Sequence, residues 1–177
     1  MSMEAQLQEL LDRQAINDLI ARYSRTLDWL DDAGQAGCYW PDAAIDYGFF
    51  KGTAAQFVPV VMQVERSTGR RWHLLSSLAV KLTSATTAEG ECYGIACGFR
   101  REGEGEPYRG NMYGGRYLDT FEKRPTESGA EWRIASRRYI MDWTMPMPDQ
   151  PDASPRAEFP LPMLDLRESG HPDYRPM

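Results

Sequence analysis

The spacing of apolar residues changes once along this chain, and that change limits the folds it can adopt. Residues 4–30 carry apolar side chains at helical spacing, and a short helical turn is predicted over residues 32–39, before Pro41. The segment AAIDYGFF then predicts a strand, and Thr53 is placed to cap a helix that runs to about Glu65. Beyond that helix the apolar residues alternate with a period of two, which is typical of strands.

Four long strand candidates occupy most of the second half of the chain. They are RWHLLSSLAVKLTS, AEGECYGIACGFRR, YRGNMYGGRYLDTFEKR and EWRIASRRYIMDWT. Short polar or Gly/Pro-containing turns separate them, which predicts an antiparallel meander and, after the helices, an α+β architecture. The glycine row Gly90, Gly94 and Gly98 would let a helix pack closely or let the sheet curl around a pocket. We expect a bent antiparallel sheet wrapped around the first helix, forming a cone with one pocket.

The end of the chain differs in composition from the rest. Eight of the 12 prolines fall after residue 144, and FPLPML is the one apolar segment there. Such a stretch can be neither an inner strand nor a helix. We therefore expect one domain over residues 1–144 and a proline-rich arm over residues 145–177, either disordered or lying over the body or a neighbouring subunit. Because the sheet also has a second face to cover, we expect a homo-oligomer, either a trimer or a dimer.

Charge and residue counts exclude several classes of function. A net charge of −6 argues against binding nucleic acid, which needs a basic surface. No apolar run approaches the roughly 18 residues of a membrane span, and the acidic N-terminus is unlike a signal peptide. The three cysteines lack CxxC spacing, and only two histidines are present. The sequence thus predicts a cytoplasmic protein, not associated with membranes, that needs neither a metal nor a cofactor.

His73 is the obvious candidate for proton transfer near neutral pH, since His171 lies in a polar terminus. Strict alternation would place His73 on the same strand face as Leu75, Ser77 and Ala79. The bland interpretation is a core histidine bonded to a backbone carbonyl. The catalytic interpretation requires a carboxylate on one ring nitrogen, to fix the tautomer and stabilise the imidazolium.

The segment ARYSRTLDWLDD, at the end of the first predicted helix, offers three candidate carboxylates. They are Asp28, Asp31 and Asp32. On a straight helical wheel Asp31 lies nearest the apolar face and Asp28 lies well off it. Periodicity alone therefore favours Asp31.

Over residues 8–144 the sequence resembles the SnoaL-like branch of the nuclear transport factor 2-like superfamily, which includes scytalone dehydratase, hexachlorocyclohexane dehydrochlorinase and bile-acid dehydratases. The resemblance rests on AINDLIARYSRTLD, IDYGFFKG, RRWHLLSS, and GGRYLDTFEKR followed by EWRIASRR. It implies a cone-shaped α+β barrel. It also implies that an aspartate ending the first helix pairs with a histidine opening a later strand, and the matching residues here are Asp28 and His73.

The same resemblance implies which residues contact the substrate. Tyr23 matches a tyrosine of the bile-acid enzymes, Tyr47 matches the tyrosine of an IDY stretch in scytalone dehydratase, and Arg137 matches a pocket arginine of the dehydrochlorinase. Tyr117 stands where scytalone dehydratase has a pocket asparagine. The expected function is a cofactor-independent lyase that dehydrates a small hydrophobic alcohol, aromatic or polycyclic. The alternatives are a retro-aldol lyase or isomerase using the same base, and a non-catalytic small subunit or binding module.

Overall fold

The computed structural model describes residues 2–150 and 161–177. Its helices and strands, in chain order, are α1 (Met3–Asp28), α2 (Asp32–Gly37), β1 (Tyr39–Asp46), β2 (Lys51–Thr53), α3 (Ala54–Arg66), β3 (Arg70–Leu82), β4 (Thr87–Arg100), β5 (Tyr108–Thr126) and β6 (Gly129–Gln150). The predicted α+β class is confirmed, with a long N-terminal helix and one sheet. The predicted cap of α3 is present, because the Thr53 N–H donates to Gln56 Oε1 at 3.0 Å.

The six strands form one open sheet in the order β2-β1-β6-β5-β4-β3. Strands β3 to β6 make the predicted antiparallel meander. One pair differs from the prediction, since β1 runs parallel to β6. The chain leaves β1 through β2 and α3 and re-enters the sheet at its far edge, so β1 comes to lie beside the last strand. A parallel pair of this kind requires such a long connection.

Helix α1 fills the concave side of the sheet. On one stripe of the helix, the side chains from Ile16 onward, including Leu19, Tyr23 and Leu27, are buried in the main core. The earlier apolar positions Leu7, Leu10 and Leu11 are exposed in the single chain. None of the helices in the two described ranges is both long enough and apolar enough to cross a membrane.

Strand β3 carries a bulge that the sequence pattern did not reveal. The pairing with β4 shifts between Ser76 and Ala79, and Ser77 has a positive φ of 54°. A bulge inserts one extra residue, so every later side chain changes face. Leu78 therefore packs against the core. The expectation that Ser77 and Ala79 share the face of His73 is wrong for this reason.

The glycines of β4 accommodate aromatic rings from the neighbouring strand. A Cβ at Gly94 would lie 2.9 Å from Tyr117 Cε2, and one at Gly90 would lie 2.8 Å from Phe121 Cε2. At both positions the space is filled neither by a helix nor by an open pocket. The small residues instead let large rings of β5 lie flat across the concave face.

Strand β6 continues into the segment that the sequence assigned to the arm. Pro146 and Met147 still pair with β5. Proline is tolerated here because β1, the strand on the other side of β6, pairs only as far as Arg138. This part of β6 is therefore an edge.

The described end of the arm lies on the body of its own chain. Leu166 is buried and donates its N–H to the Gly69 carbonyl at 2.7 Å. Further along, the Trp29 ring contacts His171 and stacks on Tyr174, with centroids 5.4 and 5.7 Å away. His171 therefore packs against the body, whereas its place in a polar terminus predicted a solvated side chain. Of FPLPML, residues 159 and 160 lie outside the described residues, and residues 161–164 are exposed. Leu166, rather than residues 161–164, is the apolar residue that packs the arm against the body.

Candidate active site

The ends of three elements meet around one histidine. His73, near the start of β3, has its Nδ1 2.7 Å from Oδ1 of Asp28, the last residue of α1. The backbone N–H of His73 donates to the other oxygen of the same carboxylate at 3.1 Å. The Asp28 carboxylate thus holds both the ring and the backbone of His73, which fixes the orientation of the imidazole.

The other two candidate carboxylates, Asp31 and Asp32, have different roles. Asp31 caps α2 by accepting the Gly34 N–H at 2.8 Å, and it also accepts the Tyr174 hydroxyl at 2.6 Å. Asp32 forms an ion pair with Arg66. The helical wheel therefore pointed to the wrong acid, because Asp31 lies beyond the end of α1 and faces α2 and the arm.

Glu65, in the last turn of α3, is a site residue that the sequence reasoning missed. Its Oε1 lies 3.8 Å from His73 Nε2, and 13% of its side chain is exposed. A carboxylate thus faces the second ring nitrogen. A signal was present in the sequence, since Glu65 follows Val61 and Met62 at helical spacing and so falls on the buried stripe of α3. An acid on such a stripe needs a partner.

Arg71 ties the surrounding chain segments together. Its side chain is 2% exposed and donates to the Asp28 carbonyl at 3.1 Å, to the Glu65 carbonyl at 2.7 and 3.0 Å, and to the Leu166 carbonyl at 2.6 Å. It also donates to the Thr68 carbonyl. Its Nε lies 3.5 Å from Glu65 Oε2. The guanidinium thus fixes the ends of α1 and α3 relative to the C-terminal segment.

Burial and charge act in opposite directions on the titration of this site. Burial disfavours the imidazolium, but the hydrogen bond to Asp28 and the negative charges of Glu65 and Asp28 outweigh it, so the pKa of His73 is raised. Burial also raises the pKa of Glu65, against the opposing effect of His73 and Arg71. The pKa values of the two facing groups are therefore both raised.

The four predicted substrate-binding residues form one buried cluster. The hydroxyls of Tyr23 and Tyr47 are 3.0 Å apart, and the Arg137 guanidinium lies over the rings of Tyr23 and Tyr117 at 4.2 and 4.4 Å. Burial raises the pKa of all three tyrosines, so they remain neutral hydrogen-bond donors across the physiological range. This part of the core is therefore lined by the neutral phenol groups of three tyrosines.

Arg137 itself is fully engaged with a residue that the sequence reasoning did not identify. Its Nε and Nη2 lie 2.8 and 2.6 Å from the two carboxylate oxygens of Asp119, and both side chains are inaccessible to solvent at 0% and 1% exposure. Asp119 is directly opposite Arg137 in the β5–β6 register. The geometry is that of a structural ion pair that supports the tyrosines, rather than of an arginine open to a ligand.

The dyad and the tyrosine cluster are neighbours on the concave face. Leu75 follows His73 on that face and pairs with Gly94, whose open side is covered by the Tyr117 ring. On α1, Tyr23 precedes Asp28 by five residues, about 7.5 Å along the helix axis. The dyad and the neutral phenols therefore lie close to each other along α1 and β3. Within the described ranges, no group of three or more His, Cys, Asp or Glu side chains is placed to hold a metal ion.

Comparisons with known proteins place this geometry in a family. The sequence profile of the SnoaL-like domain matches residues 8–138. Among solved structures, a putative scytalone dehydratase from Novosphingobium aromaticivorans is 20% identical, with a TM-score of 0.68, over 86% of this chain and 99% of that chain. A hexachlorocyclohexane dehydrochlorinase, LinA type 2, is 21% identical, with a TM-score of 0.68, over 85% and 98%.

An NTF2-like protein with a cystatin-like fold, also from Novosphingobium aromaticivorans, is 24% identical, with a TM-score of 0.61, over 79% of this chain and 88% of that chain. At these identities the structures establish the fold alone. A search of curated protein sequences found no match. Because the domain profile covers most of the chain, this protein belongs to the SnoaL-like domain family and has the NTF2-like fold.

Proposed function

We propose that this protein is a cofactor-independent lyase that eliminates water from a small hydrophobic alcohol, aromatic or polycyclic. The observation that carries the proposal is the 2.7 Å contact between His73 Nδ1 and Asp28, which leaves Nε2 as the ring nitrogen that can accept a proton. An imidazole held in this way is oriented as a general base, and the carboxylate stabilises the imidazolium that forms. Two structural neighbours are named for eliminations, a dehydratase and a dehydrochlorinase, and they support this reaction class.

In the proposed reaction, His73 Nε2 removes a proton from the carbon adjacent to the carbinol. The electrons of that C–H bond form the new double bond, the C–O bond breaks, and the hydroxyl leaves as water after it gains a proton. The phenols of Tyr23 and Tyr47 would donate hydrogen bonds to an oxygen that gains negative charge during the reaction. The rings of Tyr23, Tyr47 and Tyr117 would contact a flat apolar substrate.

One observation favours a non-catalytic binding module instead. The Glu65 carboxylate lies where a substrate would meet His73 Nε2, as expected if the buried charges only hold the fold together. The two functions differ in what loss of the imidazole does. A structural histidine would be needed for stability, whereas a catalytic one would be needed for turnover.

The test uses the aldol adduct of benzaldehyde and acetone, an aromatic β-hydroxy ketone. Dehydration yields the conjugated enone, and the retro-aldol alternative yields benzaldehyde, so absorbance spectra separate the two reactions. We expect enone formation, its loss in His73→Ala, and its retention in His171→Ala, which removes the other histidine. Full turnover in His73→Ala, or no turnover by the native protein on this probe and on a panel of polycyclic alcohols, would contradict the lyase proposal.

Asp28→Asn tests the orienting carboxylate. We expect a fall in kcat of about 10⁴, because an amide favours the wrong tautomer and cannot stabilise the imidazolium. Asp32→Asn is the matched control on a neighbouring acid, whose side chain is 50% exposed and pairs with Arg66, and it should change kcat little. Equal losses in the two variants would show that Asp28 has no special role.

We also propose that the protein is a cytoplasmic homo-oligomer. The outer face of the sheet exposes a row of apolar side chains on adjacent strands, including Leu74 and Trp143, each 44% exposed. A patch of this kind on a sheet is typical of an interface. The cytoplasmic location is supported by Cys38, Cys92 and Cys97, all of which are unpaired.

A further inference from the structure

The His73 ring lies between two carboxylates supplied by different helices. Asp28 of α1 contacts Nδ1 at 2.7 Å, and Glu65 of α3 faces Nε2 with its Oε1 at 3.8 Å. The first contact is a hydrogen bond and the second is longer than one. The nitrogen assigned to the base thus has a second group beside it that can carry a proton.

We propose that Glu65 is a second catalytic residue, the acid that protonates the departing hydroxyl while His73 removes the carbon proton. This inference rests on the proposed lyase function. Hydroxide is a poor leaving group, so a general acid is worth about 10²–10⁴ in rate. Tyr23 and Tyr47 are weaker acids whose burial raises their pKa further, which leaves Glu65 as the better proton donor.

In the proposed cycle, every proton is given or taken by one of these two residues. The His73–Glu65 pair carries one proton, and in the reactive form Glu65 holds that proton while His73 is neutral. His73 Nε2 takes the proton of the carbon, the double bond forms, and the hydroxyl leaves with the Glu65 proton as water. The resulting imidazolium then returns its proton to the Glu65 carboxylate, whose Oε1 lies 3.8 Å from Nε2. Both residues recover their starting state without a proton from solvent.

The charged groups around Glu65 permit this role. His73 and Arg71, both from β3, favour its anion, while Asp28 from α1 and burial favour its protonated form, and the net effect is a raised pKa. Arg71 is itself flanked by Asp165 and Arg167 of the C-terminal segment. The arginine directs most of its N–H groups to backbone carbonyls, and its Nε is 3.5 Å from the nearer Glu65 oxygen. The Glu65 carboxylate is therefore not locked into a tight salt bridge.

The placement also predicts the stereochemistry of the reaction. Because Nε2 and Oε1 are adjacent, the base and the acid act on the same face of the substrate. The hydrogen and the hydroxyl should therefore leave from one face, in a syn elimination. Stereospecific deuterium labelling of the aldol adduct at the carbon between the carbinol and the ketone reports this directly, and retention of the label on the syn position would overturn the proposal.

The decisive experiment compares two leaving groups in Glu65→Gln. The probes are the aldol adduct of benzaldehyde and acetone and its β-chloro counterpart, each corrected for the spontaneous reaction. Chloride leaves without a proton, so loss of an acid should lower the ratio of hydroxyl to chloride turnover about a hundredfold. Glu65→Asp, which keeps a carboxyl group, should recover part of that ratio. An unchanged ratio would overturn the proposal, since damage to packing slows both eliminations alike.

A measurement that needs no substrate separates this inference from the lyase proposal. The imidazole of His73 is titrated by NMR in the native protein and in Glu65→Gln, with His171→Ala used to assign the signal. Removal of the facing carboxylate should move the titration of His73 to lower pH, and no movement would overturn the pairing. If His73→Ala keeps full turnover, the lyase function fails. If His73→Ala is inactive and Glu65→Gln keeps the native leaving-group ratio, the role of Glu65 alone fails.

Discussion

Replacement of Asp119 by leucine tests whether Arg137 is a structural residue or a ligand-binding one. The Asp119–Arg137 pair is doubly hydrogen bonded and fully buried. Removal of one partner leaves the other charge buried without compensation, which typically costs about 3–5 kcal/mol. The Tyr23 and Tyr117 rings beside the guanidinium still stabilise its charge in part. We therefore expect the loss of stability in Asp119→Leu to lie near the lower end of this range.

Urea denaturation followed by circular dichroism measures this loss, with thermal unfolding as a second readout. At roughly 2–4 °C per kcal/mol for a chain of this size, the melting temperature should fall by about 6–20 °C. Arg137→Met should be similarly unstable. The double variant, Asp119→Leu with Arg137→Met, should recover most of the loss, because both buried charges are then gone.

The matched control is Arg116→Met, which breaks a pair between the same two strands on the outer face. Arg116 Nε lies 3.0 Å from Asp142, and both side chains are about one-third exposed. Exposed pairs contribute little to stability, so this variant should unfold close to the native midpoint. The reasoning is refuted if Asp119→Leu is no less stable than Arg116→Met, or if the double variant is as unstable as the sum of its two parts.

Three further predictions address other parts of the molecule. Tyr174→Phe removes the hydroxyl that donates to Asp31 at 2.6 Å, so the C-terminal segment should become more sensitive to protease, with a loss of about 1 kcal/mol. Burial opposes ionisation of Asp12, but hydrogen bonds, chiefly from Lys123, outweigh burial and lower the pKa of Asp12. The stability that this carboxylate adds is present above its usual pKa and is lost as the pH falls through the lowered pKa. Asp12→Asn should therefore flatten the acid side of a plot of melting temperature against pH. Trp143→Lys places a charge in the exposed apolar row, and sedimentation velocity should show it as a smaller species than the native protein; equal sizes would argue against an interface there.

The sequence predicted the fold well because both of its periodic signals are local. Amphipathic spacing depends only on neighbouring residues, so α1, α3 and the four long strands could be located from composition and turns. The β3 bulge could not be predicted, because its positive φ falls on Ser77 rather than on a glycine. The parallel β1–β6 pair depends on a crossover between distant segments, to which no short-range pattern is sensitive.

The site was predictable only in part, for a related reason. Asp28 was chosen by family resemblance, and the helical wheel failed because the chain turns at the end of α1, where Leu30 has a φ of 56°. The link between Asp119 and Arg137 depends on strand register, which adjacent residues do not reveal. Glu65 could have been suspected as an acid on a buried stripe, but its partner lies on a separate element.

The Arg71 contacts have a consequence for how proteins built on this plan can change over time. Arg71 holds Asp28, Glu65, Thr68 and Leu166 by their carbonyl oxygens. A carbonyl is present whatever side chain the residue carries, so this attachment does not depend on the composition of the terminal segment. Mutations can therefore change the side chains of that segment, and with them the surface next to the dyad, while Arg71 keeps its hydrogen bonds to the backbone. The Asp28–His73 pair and the C-terminal segment beside it can therefore diversify at separate rates.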